Sequence, residues 1–206
     1  QTMLLYAVTD RAWVGKQTLY EQVESALKGG ATCVQLREKE AEDAFILQEA
    51  QELNALCRRY GVPFLVNDRP DLAQIVGADG VHVGREDTGL TEARKQLGVN
   101  AVLGGSAHTV EEALAAQAAG ADYLGCGAVF GSGTKHNVSQ MSLETLTAIC
   151  QAVDIPVVAI GGVNLDNLSL LAGTGIAGVA VISGLFAPED KAAAAQGFLQ
   201  QLEGLI

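Results

Sequence analysis

The chain has 206 residues, a formal net charge of −11 and a pI near 4.6. Hydrophobic residues make up 49% of it and aromatic residues only 5%, which favours aliphatic, buried parallel strands over a β-sandwich. The negative charge excludes a nucleic acid or an anionic membrane surface as an expected partner. No apolar run has the length of a bilayer span and no signal peptide is evident, so we expect a cytoplasmic protein.

Short β-branched runs recur along the whole chain and predict eight strands. These runs are Leu5–Thr9, Cys33–Arg37, Phe64–Asn67, Gly80–Val83, Val102–Ser106, Tyr123–Gly127, Val157–Gly161 and Val179–Ser183. Between them, apolar residues at helical spacing predict helices, among them Leu19–Lys28, Ala44–Tyr60, Val110–Ala119, Leu143–Val153 and Lys191–Leu202. Strands that alternate with helices predict a parallel sheet, and eight units predict a closed (β/α)8 TIM barrel rather than an open doubly wound sheet. We expect one α/β domain over residues 1–206.

Four segments repeat one local pattern, in which a Gly-Ala or Gly-Ile pair follows a helix and an apolar strand begins soon after. The pairs begin at Gly30, Gly77, Gly120 and Gly175. Glycine is the residue expected just after a helix end, where the backbone turns back. The four cysteines are widely spaced without a CxxC pair, so we expect reduced core residues.

The second predicted strand ends in polar residues that have no structural role in a core. Gln35, Arg37 and Lys39 alternate there, so they share one face if the extended backbone continues. In a barrel of this kind the active site lies at the carboxyl ends of the strands. Three donors, two of them cationic, suit a diphosphate, although Arg37 and Lys39 could instead pair with neighbouring glutamates.

Acidic residues follow the next two strands. Asn67 and Asp68 end the third strand, and Asp87 follows the fourth. Because Mg²⁺ is usually held by one or two carboxylates together with substrate phosphate and water, Asp68 and Asp87 are candidate magnesium ligands. The alternative is that either aspartate caps a helix, especially as Pro70 suits the first position of the next helix.

The fifth and sixth strands lead into further polar segments. Ser106 ends the fifth strand, and no GxSxG motif accompanies it, so a hydrolytic triad is not indicated. His82, within the fourth strand, is expected to line the barrel rather than to act as a catalyst. After the sixth strand, Ser132, Thr134 and Lys135 lie in a glycine-spaced loop that could hold an anion, with an ordinary surface loop as the alternative.

The last two strands end in glycine-containing turns. Gly161 and Gly162 follow the seventh strand, while Ile182 and Ser183 end the eighth. These are the two loops that commonly build the phosphate site of a TIM barrel, because backbone N–H groups there approach phosphate oxygens. With the second strand this gives an anion site on each side of the barrel mouth, so two phosphorylated substrates are expected.

The motifs YAVTD, GGATCVQLREK, VPFLVND, ADGVHVGREDT, GGSAHT, GADYLGCGAVFGSGTK, IPVVAIGGV and GVAVISGLF occur in this order along most of the chain. They resemble the thiamine phosphate synthase family. The resemblance implies a barrel, often a homodimer, that condenses a hydroxymethylpyrimidine diphosphate with a thiazole phosphate to give thiamine phosphate and diphosphate. It also implies a dissociative alkyl transfer with Mg²⁺ on the leaving diphosphate and no protein nucleophile.

The resemblance implies a role for each candidate residue. The pyrimidine diphosphate would contact Gln35, Arg37, Lys39, Asn67, Ser106 and Lys135, with Arg37, Lys39, Ser106 and Lys135 serving catalysis. The thiazole phosphate would contact Ser132, Thr134, Gly161, Gly162, Ile182 and Ser183, and Mg²⁺ would bind Asp68 and Asp87. The alternatives are a thiazole tautomerase, for which His108 could supply a base, a barrel that only binds a phosphorylated ligand, and an enzyme of a single sugar phosphate.

Overall fold

The structure is a computed structural model that describes residues 2–84, 89–131 and 140–206. Its eight strands are β1 (Leu5–Val8), β2 (Cys33–Leu36), β3 (Phe64–Asn67), β4 (Gly80–Val83), β5 (Val102–Ala107), β6 (Tyr123–Gly127), β7 (Val157–Ile160) and β8 (Gly178–Val181). All are parallel and pair in chain order, and β8 pairs with β1. The predicted closed α/β barrel in one domain is therefore confirmed.

Helices alternate with these strands. They are α1 (Leu19–Lys28), α2 (Asp43–Tyr60), α3 (Pro70–Val76), α4 (Leu90–Leu97), α5 (Val110–Ala118), α6 (Leu143–Ala152), α7 (Ser183–Phe186) and α8 (Lys191–Leu202). The bounds of α1 and α8 agree with the prediction because polar residues cap them. The Thr18 hydroxyl accepts from Glu21 N–H at 3.2 Å while the Glu21 carboxylate accepts from Thr18 N–H at 2.7 Å. Asp190 likewise caps α8 by accepting from Ala193 N–H.

The connection between β7 and β8 differs from the predicted helix followed by glycine. It contains only a short 3-10 helix, Leu168–Leu171. The side chain of Asn164 accepts hydrogen bonds from the backbone N–H groups of Asp166 and Asn167, which forms a tight turn before this helix. The prediction that glycine turns the chain is confirmed here, since Gly175 has φ of +88°.

The core has two parts, one on each face of the sheet. Residues such as Leu5, Ala7 and Val34 belong to the larger cluster between strands and helices. A smaller cluster fills the barrel interior and consists of Tyr6, Val8, Cys33, Leu65, Tyr123, Val158 and Ala180. Successive residues of β1 alternate between the two clusters, as a barrel strand requires. The interior cluster forms the floor on which the cavity described below rests.

The four cysteines are free, and Cys33, Cys57 and Cys126 are buried, as predicted. Burial raises the pKa of both Cys57 and Cys126 to about 12, so neither thiol is a ready nucleophile. Within the described part of the chain, no helix is long and apolar enough to cross a membrane.

Candidate active site

A cavity of about 730 Å³ opens at the carboxyl ends of the strands. Eight of the predicted site residues line it: Gln35, Arg37, Lys39, Asn67, Asp68, Ser106, Gly161 and Ile182. Gly162 and Ser183 follow two of these residues along the chain and are not among those that line the cavity. The prediction that Ile182 and Ser183 end the eighth strand is wrong, because β8 ends at Val181 and Ser183 begins α7. Asp87, Ser132, Thr134 and Lys135 lie outside the described residues. The described candidates from β2, β3, β5, β7 and β8 thus meet at one cavity.

The end of β2 is held by the end of β1. Thr9, which is fully buried, donates its N–H to the Gln35 carbonyl at 3.0 Å and accepts from Arg37 N–H through its hydroxyl at 3.0 Å. The strand ends at Leu36, so the extended backbone does not continue to Lys39 as the shared-face argument required. Arg37 and Lys39 nevertheless both line the cavity.

Among the described residues, Arg37 and Lys39 do not pair with the neighbouring glutamates, which was the alternative to an anion site. Glu38 pairs with Arg11, whose Nε lies 2.5 Å from the Glu38 carboxylate. Lys39 Nζ instead lies 3.5 Å from the Asp68 carboxylate, and the Lys39 side chain is half exposed. Both cations therefore remain directed at the cavity, where an anionic ligand would meet them.

Arg11 joins the loop after β1 to the loop after β2. It contacts the Glu49 carboxylate at 2.6 Å as well as Glu38, and its guanidinium lies 4.8 Å from the centre of the Phe45 ring. Burial alone would raise the pKa of Glu38, but hydrogen bonds from Arg11 and from backbone N–H groups outweigh burial and lower this pKa. The cluster fixes the backbone that carries Arg37 and Lys39.

Asp68 has an unusual backbone conformation, and both of its carboxylate oxygens accept hydrogen bonds. Its φ is +56°, in the left-handed region that non-glycine residues seldom adopt. One carboxylate oxygen accepts from Gly84 N–H at 2.7 Å, and the other accepts from the Asn67 amide at 2.8 Å. Asp68 is not a helix cap, because the N-cap of α3 is Arg69 and Pro70 begins the helix. The carboxylate is instead fixed at the cavity wall.

Three aromatic residues of the site were not among the predicted catalytic or binding residues. Gln35 donates to the Tyr6 hydroxyl at 2.7 Å, and this hydroxyl lies 2.8 Å from the hydroxyl of Tyr123. His82 Nδ1 lies 2.9 Å from the Tyr123 hydroxyl, and its Nε2 lies 3.0 Å from Ser106 Oγ. The alternation of side chains along β1 and β6 predicts that both tyrosines point into the barrel. It does not predict that their hydroxyls contact each other.

His82 lines the barrel, as predicted, and is neutral. Burial lowers its pKa to about 4, and the nearby Asp68 carboxylate offsets only part of this effect. Burial also raises the pKa of Tyr6 and that of Tyr123 well above their usual value, so both phenols stay protonated. His108 lies elsewhere on the cavity wall, with Nδ1 3.4 Å from the Glu112 carboxylate.

Fold and cavity together define a (β/α)8-barrel protein. The cavity wall carries cations and one fixed carboxylate beside β2 and β3, a glycine turn after β7 and the start of a short helix after β8. This arrangement suits phosphorylated small molecules.

Comparison with known proteins gives a more particular assignment. The model of the thiamine monophosphate synthase family matches residues 5–185. A thiamine-phosphate synthase of Ruminiclostridium cellulolyticum is 45% identical over 95% of this chain and 93% of its own. Thiamine-phosphate synthase 2 of Streptococcus pneumoniae is 42% identical over 100% of this chain and 98% of its own. A solved thiamine phosphate pyrophosphorylase from Pyrococcus furiosus has a TM-score of 0.91 and 39% identity, covering 100% of this chain and 98% of that one. The chain belongs to the thiamine monophosphate synthase family, a family of transferases.

Proposed function

We propose that this chain joins a pyrimidine diphosphate to a thiazole phosphate, releasing diphosphate and forming thiamine phosphate. The observation that carries the proposal is the convergence of Gln35, Arg37, Lys39, Asn67, Asp68 and Ser106 on one cavity wall. Family membership supports the same reaction. In it, the bond between the pyrimidine methylene carbon and the diphosphate oxygen breaks, and the thiazole nitrogen forms a bond to that carbon.

The protein's part in this reaction is to stabilise charge and to align two substrates. The aminopyrimidine can delocalise the cation left on its methylene carbon, so a dissociative path needs no protein nucleophile. Arg37 and Lys39 would neutralise the departing diphosphate, and Lys135 is proposed to assist them. The cavity is large enough for two small ligands side by side, which supports catalysis by proximity.

For the thiazole phosphate we propose the opposite side of the mouth. Gly161 has φ of +99° and Gly162 has φ of +65°, which turns the backbone sharply after β7. A Cβ at Gly161 would lie 2.5 Å from the Cβ of Ala128, so only glycine fits there. The backbone of Ile182 and Ser183, together with Ser132 and Thr134, completes the proposed phosphate site.

A magnesium ion is proposed at Asp68 and Asp87. The described residues fit the ion in part, since Asp68 supplies one fixed carboxylate on the cavity wall, beside Lys39. Mg²⁺ typically takes one or two carboxylates and fills its remaining positions with water and phosphate oxygens. When bound, it would supply additional positive charge for the leaving diphosphate.

Location and assembly are proposed on separate grounds. Free cysteines are the form kept by a reducing compartment, which supports the cytoplasm. The charge of −11 is unfavourable for nucleic acid. A homodimer is proposed from the family resemblance, and light scattering of the purified chain would test it.

The direct test mixes both substrates with Mg²⁺ and measures the release of diphosphate. We expect turnover by the unaltered chain and a fall of roughly a hundredfold in kcat/KM for Arg37→Ala and for Lys39→Ala. Lys95→Ala is the matched control, because Lys95 is exposed on α4 and pairs only with Glu92 among the described residues. Unchanged turnover in Lys39→Ala would contradict the proposed diphosphate site, and absence of any release would contradict the proposed reaction.

A further inference from the structure

The hydrogen bonds from Gln35 to Ser106 form one chain with two possible directions. Each hydroxyl has one proton to donate, and a neutral imidazole has one N–H and one acceptor nitrogen. If Tyr123 donates to His82 Nδ1, the proton of His82 must be on Nε2 and point to Ser106. If His82 donates from Nδ1 to Tyr123, Nε2 must accept the proton of Ser106.

The orientation of the Gln35 amide, with its nitrogen toward Tyr6, selects between these directions. Its amide nitrogen donates to the Tyr6 hydroxyl at 2.7 Å, so the Tyr6 proton is directed to Tyr123. The Tyr123 proton is then directed to His82 Nδ1, at 2.9 Å. His82 Nε2–H in turn donates to Ser106 Oγ at 3.0 Å, which leaves the Ser106 proton for another acceptor. Since Ser106 lines the cavity, a molecule bound there can be that acceptor.

Glycines on the neighbouring strands provide the space that this arrangement occupies. At Gly104 of β5, a Cβ would lie 2.4 Å from the Tyr123 hydroxyl oxygen and 2.5 Å from His82 Nδ1, where their hydrogen bond is. At Gly125 of β6, a Cβ would lie 3.0 Å from His82 Cε1. Two glycines on neighbouring strands thus make space for the imidazole and for its bond to Tyr123. The ring of Tyr6 packs edge-on against that of Tyr123, which holds the hydroxyls together.

We propose that His82 is a positioning residue that holds its proton on Nε2 and thereby directs the Ser106 hydroxyl proton to an oxygen of the departing diphosphate. The inference rests on the proposed function for the identity of that acceptor, and on the geometry alone for the position of the proton. Ser106 touches the ligand, and His82 acts only through Ser106. A hydroxyl whose proton is already aimed at the ligand loses little orientation when the charge develops.

The position of the proton can be read without any activity. Nitrogen-15 NMR of histidine-labelled full-length chain distinguishes the Nε2–H from the Nδ1–H tautomer by the shifts of the two ring nitrogens. The chain has three histidines, and the His82 signals are those that disappear in His82→Gln. We expect the Nε2–H tautomer, and an Nδ1–H tautomer would overturn the inference.

Tyr123→Phe tests whether the chain of hydrogen bonds sets this tautomer. It removes one oxygen and keeps the buried ring, so His82 Nδ1 loses its donor. We expect the tautomer signal to shift toward a mixture and kcat to fall roughly tenfold, with a smaller change in KM. Tyr60→Phe is the matched control, because Tyr60 is exposed and its hydroxyl contacts Glu24 on the outer surface. A Tyr123→Phe chain with unchanged tautomer and unchanged kcat would overturn the inference.

Two variants of His82 separate positioning from packing. The amide nitrogen of the side chain in His82→Gln can replace Nε2–H as a donor to Ser106, whereas the side chain in His82→Leu donates nothing. We expect His82→Gln to retain at least tenfold more kcat than His82→Leu at similar melting temperature. Equal losses in both would assign His82 a packing role and overturn the inference. If the unaltered chain releases no diphosphate, the proposed function fails, while the NMR result still decides the tautomer.

Discussion

Among single residues, Asp68 combines a left-handed backbone with a carboxylate that contacts Asn67, Gly84 and Lys39. It is the one non-glycine residue of the described ranges with a positive φ. A left-handed conformation costs roughly 1–2 kcal/mol for most residues and is found preferentially at functional sites. The carboxylate offsets this cost by accepting from Gly84 N–H, which ties the end of β3 to the end of β4.

Replacing Asp68 separates its structural role from the proposed role as a metal ligand. Asn also tolerates the left-handed region and keeps an oxygen for Gly84 N–H, but its amide nitrogen would face the Asn67 amide. Asp68→Asn should therefore lower the free energy of unfolding by about 0.5–1.5 kcal/mol. Without the charge, diphosphate release should fall roughly tenfold or more and need more Mg²⁺. Titration of Mg²⁺ in the release assay checks this.

Asp68→Ala is the companion variant. It loses the hydrogen bond as well as the charge, and should be less stable by about 1–3 kcal/mol in urea unfolding. Full activity of Asp68→Asn at the same Mg²⁺ concentration would contradict the metal site and leave only the structural role.

Between elements, the Arg11 cluster joins the loop after β1 to the loop after β2 and to α2. Arg11 contacts Glu38 and Glu49, which are distant from it in the sequence. Neither helical nor strand spacing brings these residues together. The cluster therefore belongs to the tertiary structure. It positions the segment that carries Arg37 and Lys39, and so connects loop packing to the anion site.

The pKa of Glu38 gives this cluster a pH dependence of known sign. Because the folded pKa is lowered from 4.5, Glu38 stabilises the fold above pH 4.5, and this contribution is lost as pH falls through the folded pKa. The unaltered chain should thus be more stable than Glu38→Gln at neutral pH, and the difference should shrink in acid. Urea unfolding across this range measures it.

Burial raises the pKa of the neighbouring Glu49, so Glu49 has the opposite effect on how stability depends on pH. Both the unaltered chain and Glu38→Gln retain Glu49, so its effect is common to the two. Glu92→Gln serves as the control, because Glu92 pairs with Lys95 on the exposed face of α4. A stability difference between the unaltered chain and Glu38→Gln that stays constant with pH would contradict the assignment.

For the whole molecule, the decisive contact is the one that closes the barrel. β8 pairs with β1 in register Leu5 to Val179, and Val179 N–H donates to the Leu4 carbonyl at 3.0 Å. At Gly178 an added Cβ would lie 1.9 Å from the Met3 carbonyl oxygen. The first and last strands therefore meet backbone against backbone at this point, and closure depends on a residue without a side chain.

Gly178→Ala should strain this closure. The Cβ meets backbone rather than a flexible side chain, so the strands must shift, and we expect a loss of roughly 1–3 kcal/mol or more. Thermal unfolding measures the loss, with Gly15→Ala as control because a Cβ there meets nothing within 4 Å. A melting temperature equal to that of the control would show that closure tolerates the side chain.

The sequence by itself determined most of the elements and predicted a site at the carboxyl ends of the strands. Local signals were sufficient for this: β-branched runs defined the strands, apolar residues at helical spacing defined the helices, and active sites of such barrels lie at strand ends. The motifs also identified the family before any coordinates. The exception among the elements was the segment before β8, where side chains of Asn164 and Asn167 form a turn in place of a helix.

Only the tertiary structure decided which partners each site residue has. Lys39 contacts Asp68 rather than a neighbouring glutamate, and His82 lies between Tyr123 and Ser106. Strand periodicity tells which residues point inward but not which inward residues meet across the barrel. That depends on the register of eight strands and on the space left at Gly104, and both are set by packing of the whole chain at once.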